Sequence, residues 1–161
     1  MEQYAHNCNG FCFKKFGREW RLFLVYSDKR PSILAVPGGK GEGKEPPDKT
    51  LYREYSEEVS LKVRIEEHIR FLRENFQDHT RYFYLITKAF GLPGRKETTK
   101  NYEYDKKGVI LETLTGKWYL VRYVEKSGRL KPTQRKAFKE SLKVMAEEHP
   151  QFRQDLADLF V

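Results

Sequence analysis

The N-terminal third of the chain, read from its apolar and polar positions, predicts strands. Residues 9–16 are rich in aromatics and stop at Gly17. Residues 19–26 put Trp20, Leu22, Leu24 and Tyr26 on one face and Arg21, Phe23 and Val25 on the other. After a turn over 28–32, the apolar run 33–36 reads as a third short strand. Pro37-Gly38-Gly39 then breaks it and opens a glycine-rich loop. There the period changes. Leu51, Tyr55 and Val59 recur at i, i+4 and i+8, which predicts a helix from about Pro47-Asp48 to about Ser60 with that stripe against the core. Proline suits the first helical turn, where its missing N–H has no intrahelical use, and Asp48 favours the positive helix start.

Residues 62–76 read as extended. A turn at 77–80 leads to 81–90, the most strand-like run in the chain, and the two segments suit a hairpin. Residues 91–116 are polar and exceed ordinary loop lengths, which suggests a functional or mobile loop with room for a short strand at 109–111. Residues 117–121 form another short strand anchored by Trp118. Two helices close the chain, one over 132–148 with Ala137, Phe138, Leu142 and Met145 facing the core, and one from Pro150 to about 159. This order predicts an α/β fold, a mixed sheet with helices on both faces.

Composition narrows the class. With 161 residues, 39% of them hydrophobic, the chain suffices for one domain over 1–161 with a real core. It has no run of 18 apolar residues, and its first residues lack a basic stretch followed by an apolar one. The expectation is a cytoplasmic protein without a membrane partner. Cys8 and Cys12 share one side of a strand. With His6 they suggest a metal cluster, but two cysteines cannot close a structural zinc site without further ligands, and burial as small apolar side chains is the simpler reading. The net charge of +8 suits polyanionic ligands such as nucleotides or RNA ends, although the cations are spread along the chain rather than gathered in one block.

The chemistry concentrates in residues 39–61, G-K-G-E-G-K-E-P-P-D-K-T-L-Y-R-E-Y-S-E-E-V-S-L. On a helix, Glu54, Glu57 and Glu58 fall at i, i+3 and i+4, so three carboxylates share one face and repel one another. A divalent cation removes that repulsion, and magnesium takes carboxylate oxygens while sharing its other positions with waters and substrate phosphates. The segment resembles the signature of the Nudix hydrolases, G-x5-E-x7-R-E-U-x-E-E-x-G-U, with U a bulky apolar residue. Gly39, Glu45, Arg53-Glu54, Tyr55, Glu57-Glu58 and Leu61 match in register, and Ser60 stands where the family has glycine. A serine in the left-handed conformation costs about 1–2 kcal/mol, unless the helix ends differently.

The resemblance implies a Nudix-like α/β/α sandwich. It also implies metal-dependent hydrolysis, with Mg2+ or Mn2+, of a pyrophosphate bond in a nucleoside diphosphate linked to another group. Glu57 and Glu58 are then metal ligands, Glu54 is a further ligand or the general base, and the Gly38 carbonyl completes the coordination. Gly39, Glu45 and Arg53 are structural, with Arg53 forking onto Glu45. Many relatives add one acid from a distant loop. The candidates in the polar segment are Glu97, Glu103, Asp105 and Glu112, with Glu112 favoured as a metal ligand and Glu103 as a substrate contact. Lys40 is placed to reach a phosphate, or is a solvated turn lysine. Among Tyr82, Phe83 and Tyr84, one aromatic is positioned to stack a base, against the simpler reading of core packing.

The substrate is not written in the motif. The proline that marks ADP-ribose subgroups is absent near 74–78, and Tyr82 lies late for the tyrosine of dinucleoside polyphosphate subgroups. A nucleoside triphosphate leads. The alternatives are an RNA 5′ end, or a non-catalytic module that binds nucleotide or RNA. Many relatives are dimers, so a homodimer is open.

Overall fold

The computed structural model describes residues 5–160, so most of the segment read against a secretory leader lies outside it. Seven strands make one mixed sheet: β1 (Ala5–Phe16), β2 (Glu19–Ser27), β3 (Gly38–Lys40), β4 (Arg64–Asn75), β5 (His79–Phe90), β6 (Thr99–Tyr104) and β7 (Ile110–Leu120). Their order is β4-β5-β1-β2-β7-β6, with β3 also paired to β1. Among the described residues, β1 and β5 are the one parallel strand pair, and the other strand pairs are antiparallel.

The expected alternation sorts the core. Trp20, Leu22, Leu24 and Tyr26 lie on one face with Phe11, Phe13, Phe83 and Leu85. That face is covered by α2 (Val121–Ser127), α3 (Arg135–Glu148) and α4 (Pro150–Asp155) through Val124, Phe138, Leu142 and Phe152. Phe23 and Val25 face the other way with Cys8, Cys12, Tyr84 and Trp118, under Leu51, Tyr55 and Val59 of α1 (Pro47–Val59). The result is an α/β/α sandwich. Each large apolar side chain buried this way contributes about 1.5–3 kcal/mol. Among the described residues, no helix is long and apolar enough to cross a membrane.

β1 changes partners along its length. Residues 13–16 pair with β2, whereas residues 5–12 pair with β5. Past Leu22, β2 continues against β7. Two neighbouring strands therefore diverge, and the segment 33–40 wedges between them. Val25 and Ala35 exchange backbone bonds at 2.9 Å, and the Gly10 N–H donates to the Pro37 carbonyl at 3.0 Å. This divergence makes the main cleft.

Several expectations need correction. The strand over 33–36 reduces to two isolated bridges, Val25 to Ala35 and Leu34 to Leu130. The glycine-rich stretch is no loop at its start: Gly38–Lys40 is β3, drawn in by the open edge of β1 at Asn7–Asn9. A side chain at Gly38 would overlap the Cys8 carbonyl, so only glycine allows this approach. The polar segment 91–116 is not a long loop but contains the hairpin of β6 and β7. Its strands were hidden because most of their side chains are polar or exposed. Asp105 closes its turn, accepting from the Lys107 and Val109 N–H groups at 2.8 and 3.0 Å. Helix α2 was not expected, and the helix predicted from 132 begins as a single 3-10 turn, Pro132–Gln134, before α3.

The end of α1 follows the costly alternative. Ser60 sits in the left-handed region at φ 52°, and is the one non-glycine residue there among the described residues. The Ser60 N–H donates to the Glu57 carbonyl and the Leu61 N–H to that of Ser56, which is the Schellman pattern. The Ser60 hydroxyl recovers part of the cost by donating to Asn101 Oδ1 on β6 at 2.9 Å. That bond is exposed, so it offsets little. Ser60→Gly is therefore expected to raise stability by about 1 kcal/mol, read as an increased denaturant midpoint with unchanged slope.

Candidate active site

Arg53 organises the motif. Its Nε and Nη2 donate to the two oxygens of Glu45 at 2.9 and 3.0 Å, the expected fork. Nη1 donates to Glu54 at 2.8 Å and Glu57 at 3.0 Å, and Nη2 also reaches the Lys40 carbonyl at 2.8 Å. The guanidinium beside Glu45 holds that carboxyl down at about 2, helped by the Thr50 hydroxyl. Thr50 donates to Glu45 at 2.6 Å and lies 2.8 Å from His6 Nε2, which ties the loop to β1.

The carboxylates differ in environment. Glu57 is the most exposed of the three. Glu54 lies against Gly39, where any side chain would overlap its carboxylate, so the first glycine of the motif makes room for an acid fifteen residues later. Burial pushes the Glu54 carboxyl up, and Arg53 opposes this. Glu58 is the most perturbed. Burial above all raises its carboxyl to about 8. The Gly38 N–H donates to it and lowers it in part, the charges of Glu54 and Glu103 raise it further, and Lys131 lowers it.

Glu58 lines a cleft of about 780 Å³ where β1 and β2 part. Gly38, Gly39, Lys40 and Glu112 line it too. Its five basic side chains, Lys29, Arg30, Lys40, Arg81 and Lys131, face two acids, Glu58 and Glu112. The cleft is thus cationic and suits a phosphate chain.

Glu103 and Glu112 are direct register partners on β6 and β7, so they share a sheet face. That face is the one α1 covers, because Trp118 lies on it in the same alternation. Glu97 and Asp105 are elsewhere. Glu97 accepts the Gly94 N–H at 3.2 Å, and Asp105 is spent on its turn. Tyr82, Phe83 and Tyr84 serve packing. Phe83 and Tyr84 are buried, and Tyr82 lies under the guanidiniums of Arg70 and Arg73. Cys8 and Cys12 are buried, with thiols raised to about 12 by burial.

Lys131, Arg81 and Gln134 escaped the sequence reading. Gln134 Oε1 accepts the Val36 N–H at 2.8 Å across 98 residues, fixing the start of α3 against the cleft. No local spacing signals such a pairing.

Could these residues hold a divalent cation? Among the described residues no three acidic, His or Cys groups stand together as a ready metal cage. Arg53 holds oxygens of both Glu54 and Glu57. The donor set nevertheless fits. Glu58 is a buried carboxyl whose nearest acidic influences, Glu54 and Glu103, both disfavour its charge. A cation there would reverse that.

No protein-family profile matches the chain, and no curated protein matches it. Solved structures do. A MutT structure from a study of Aliivibrio salmonicida and Vibrio cholerae superposes with a TM-score of 0.62 at 20% identity, over 90% of this chain and 99% of that one. The MutT NUDIX hydrolase of Burkholderia pseudomallei gives 0.58 at 19% identity, over 86% and 98%. A UDP-X diphosphatase gives 0.52 at 13%, over 89% and 65%. The chain has the MutT/Nudix fold. Within that fold it carries the signature segment on β3, the following loop and α1.

Glu45 supplies a pH test. Its folded value lies below the ordinary 4.5, so its contribution is present above about 4.5 and fades as the pH falls toward 2. The stability difference between the native protein and Glu45→Gln should be largest at pH 6 and close toward pH 2, measured by denaturant titration at each pH.

Proposed function

We propose that this protein is a metal-dependent hydrolase that cleaves a pyrophosphate bond in a nucleoside diphosphate linked to another group, with a nucleoside triphosphate as the leading substrate. The observation that carries the reading is Glu58, a half-buried residue whose carboxyl is largely desolvated and which lines a cleft otherwise rich in cations. Substrate phosphates suit the cations, and a metal suits the acid. The UDP-X diphosphatase among the structural neighbours supports a pyrophosphate bridge as the bond broken.

In this reading Glu57 and Glu58 would hold Mg2+ or Mn2+, joined by the Gly38 carbonyl, with Glu54 as a further ligand or the general base. Glu112, lining the cleft, would add a ligand from β7, and Glu103 beside it would contact substrate. The bound metal would neutralise phosphate oxygens and lower the pKa of water. The chain does the rest. Lys40, Lys131 and Arg81 bind and orient the phosphates from both walls of the cleft. Arg53 keeps Glu54 and Glu57 turned toward the loop. Where Glu54 serves as the base, its carboxylate takes a proton from the attacking water, and the phosphoanhydride P–O bond breaks to leave two phosphate products. The partner is a nucleotide, and residence in the cytoplasm suits it.

The test is product release with magnesium across nucleoside triphosphates, ADP-ribose, a dinucleoside polyphosphate and 5′-triphosphorylated RNA. Native protein should turn over a nucleoside triphosphate, and Glu58→Gln should lower kcat by at least about a hundredfold while keeping the fold. Turnover of RNA alone would replace the substrate. No turnover of any, with binding retained, would make the protein a binding module.

A further inference from the structure

A second cationic hollow lies outside the cleft, toward the other end of the same two strands. β6 begins at Thr99, opposite Gly116, so residues 117–120 of β7 have β2 on one side and no strand on the other among the described residues. The connection before β6 crosses this edge instead. Trp118 Nε1 donates to the Pro93 carbonyl at 2.8 Å, and Arg95 reaches Glu19 at 2.8 Å. Between them is a hollow of about 440 Å³, lined by Arg21, Arg95, Lys96 and Lys117 together with Tyr119 and Tyr123.

The charge there is not balanced. Arg21 and Arg95 both donate to one oxygen, Glu19 Oε1, at 3.1 and 2.8 Å. Glu97, the acid in the lining, is engaged by the Gly94 N–H at 3.2 Å. Four cations thus meet two carboxylates. Arg21 Nε is buried and has no acceptor among the described residues, an unfavourable state for a guanidinium N–H. Arg21 Nη1 also reaches the Trp118 carbonyl, but only at 3.4 Å, so the two guanidiniums still have N–H donors that a tetrahedral oxyanion would satisfy. Beside them, the half-exposed Tyr123 ring lies parallel to Tyr119, with centroids 6.2 Å apart. It offers a flat apolar surface next to the charge.

We infer that this hollow is a second binding site, for a phosphate-bearing anion, separate from the cleft. Arg21 is five residues from Tyr26 along β2, which puts the two sites roughly 17 Å apart. The site needs no metal, because guanidinium and ammonium groups alone supply its charge. Its occupant is either inorganic phosphate or the phosphate of a nucleotide, and Tyr123 tells them apart.

The experiment is an amide chemical-shift titration of the full chain in metal-free buffer, with inorganic pyrophosphate in one arm and a nucleoside monophosphate in the other. Amides at 95–97 and 117–120 should shift saturably. The double variant Arg95→Gln/Lys96→Gln, on an exposed connection, should weaken that response about tenfold, the loss of roughly one charge-assisted contact. The response at Gly39 and Lys131 in the cleft should be the same in the native protein and in the double variant. A response to both ligands that includes Tyr123 identifies a nucleotide site; a response without Tyr123 identifies a phosphate site. Absence of a saturable shift at 95–97 and 117–120, or an unchanged affinity there in the double variant, overturns the inference.

Discussion

One guanidinium holds the strand, loop and helix of the motif segment in register. Arg53 has five N–H donors, and each has an acceptor: two bonds to Glu45, one to Glu54, one to Glu57 and one to the Lys40 carbonyl. Those acceptors come from β3, the connection after it and α1, so a single planar group sets the distance between strand and helix. Lysine has three donors and no fork, so it cannot substitute. Deleting Arg53 would leave three mutually repelling carboxylates, a larger loss than the pairs themselves contribute.

The cleft depends on a second constraint, the change of partner along β1. Were β1 and β2 paired throughout, there would be no gap and no place for segment 33–40. Their separation exposes Asn7 and Asn9 on one wall and Tyr26 and Ser27 on the other. It also admits β3, which sets Gly38 against Cys8 and its N–H against Glu58. The motif is therefore presented by two long-range features, a strand split and an arginine hub, and neither is a property of the helix alone.

What the sequence disclosed follows from this division. Local period was enough for the two-faced strand β2, for the stripe Leu51, Tyr55, Val59 and for the end of α1 at Ser60. The resemblance to the Nudix signature likewise implied the fork of Arg53 onto Glu45. The β6–β7 hairpin was missed because its edge strand buries little, and a strand with water on both faces leaves no alternation to read. Gly38–Lys40 was missed because three residues with two glycines have no strand propensity, and the edge of β1 supplies the pairing. The cationic walls were invisible for a different reason. Lys29, Arg81 and Lys131 stand far apart in sequence, and only the fold turns a dispersed charge of +8 into a focused one.

Glu58 shows how the two levels meet. It is the one motif acid of α1 that Arg53 does not touch. Glu54 and Glu57 have their charge offset by the guanidinium; Glu58 is buried with only the Gly38 N–H and the more distant Lys131 in its favour, and its carboxyl rises to about 8. The chain leaves its most buried acid without a cation of its own, beside a cleft that has cations to spare. A fixed cation beside Glu58 would occupy the very oxygens that a dissociable ion needs. Under the proposed function, the desolvated acid suits a dissociable ion, and the charge on the walls suits a ligand that brings phosphates to it.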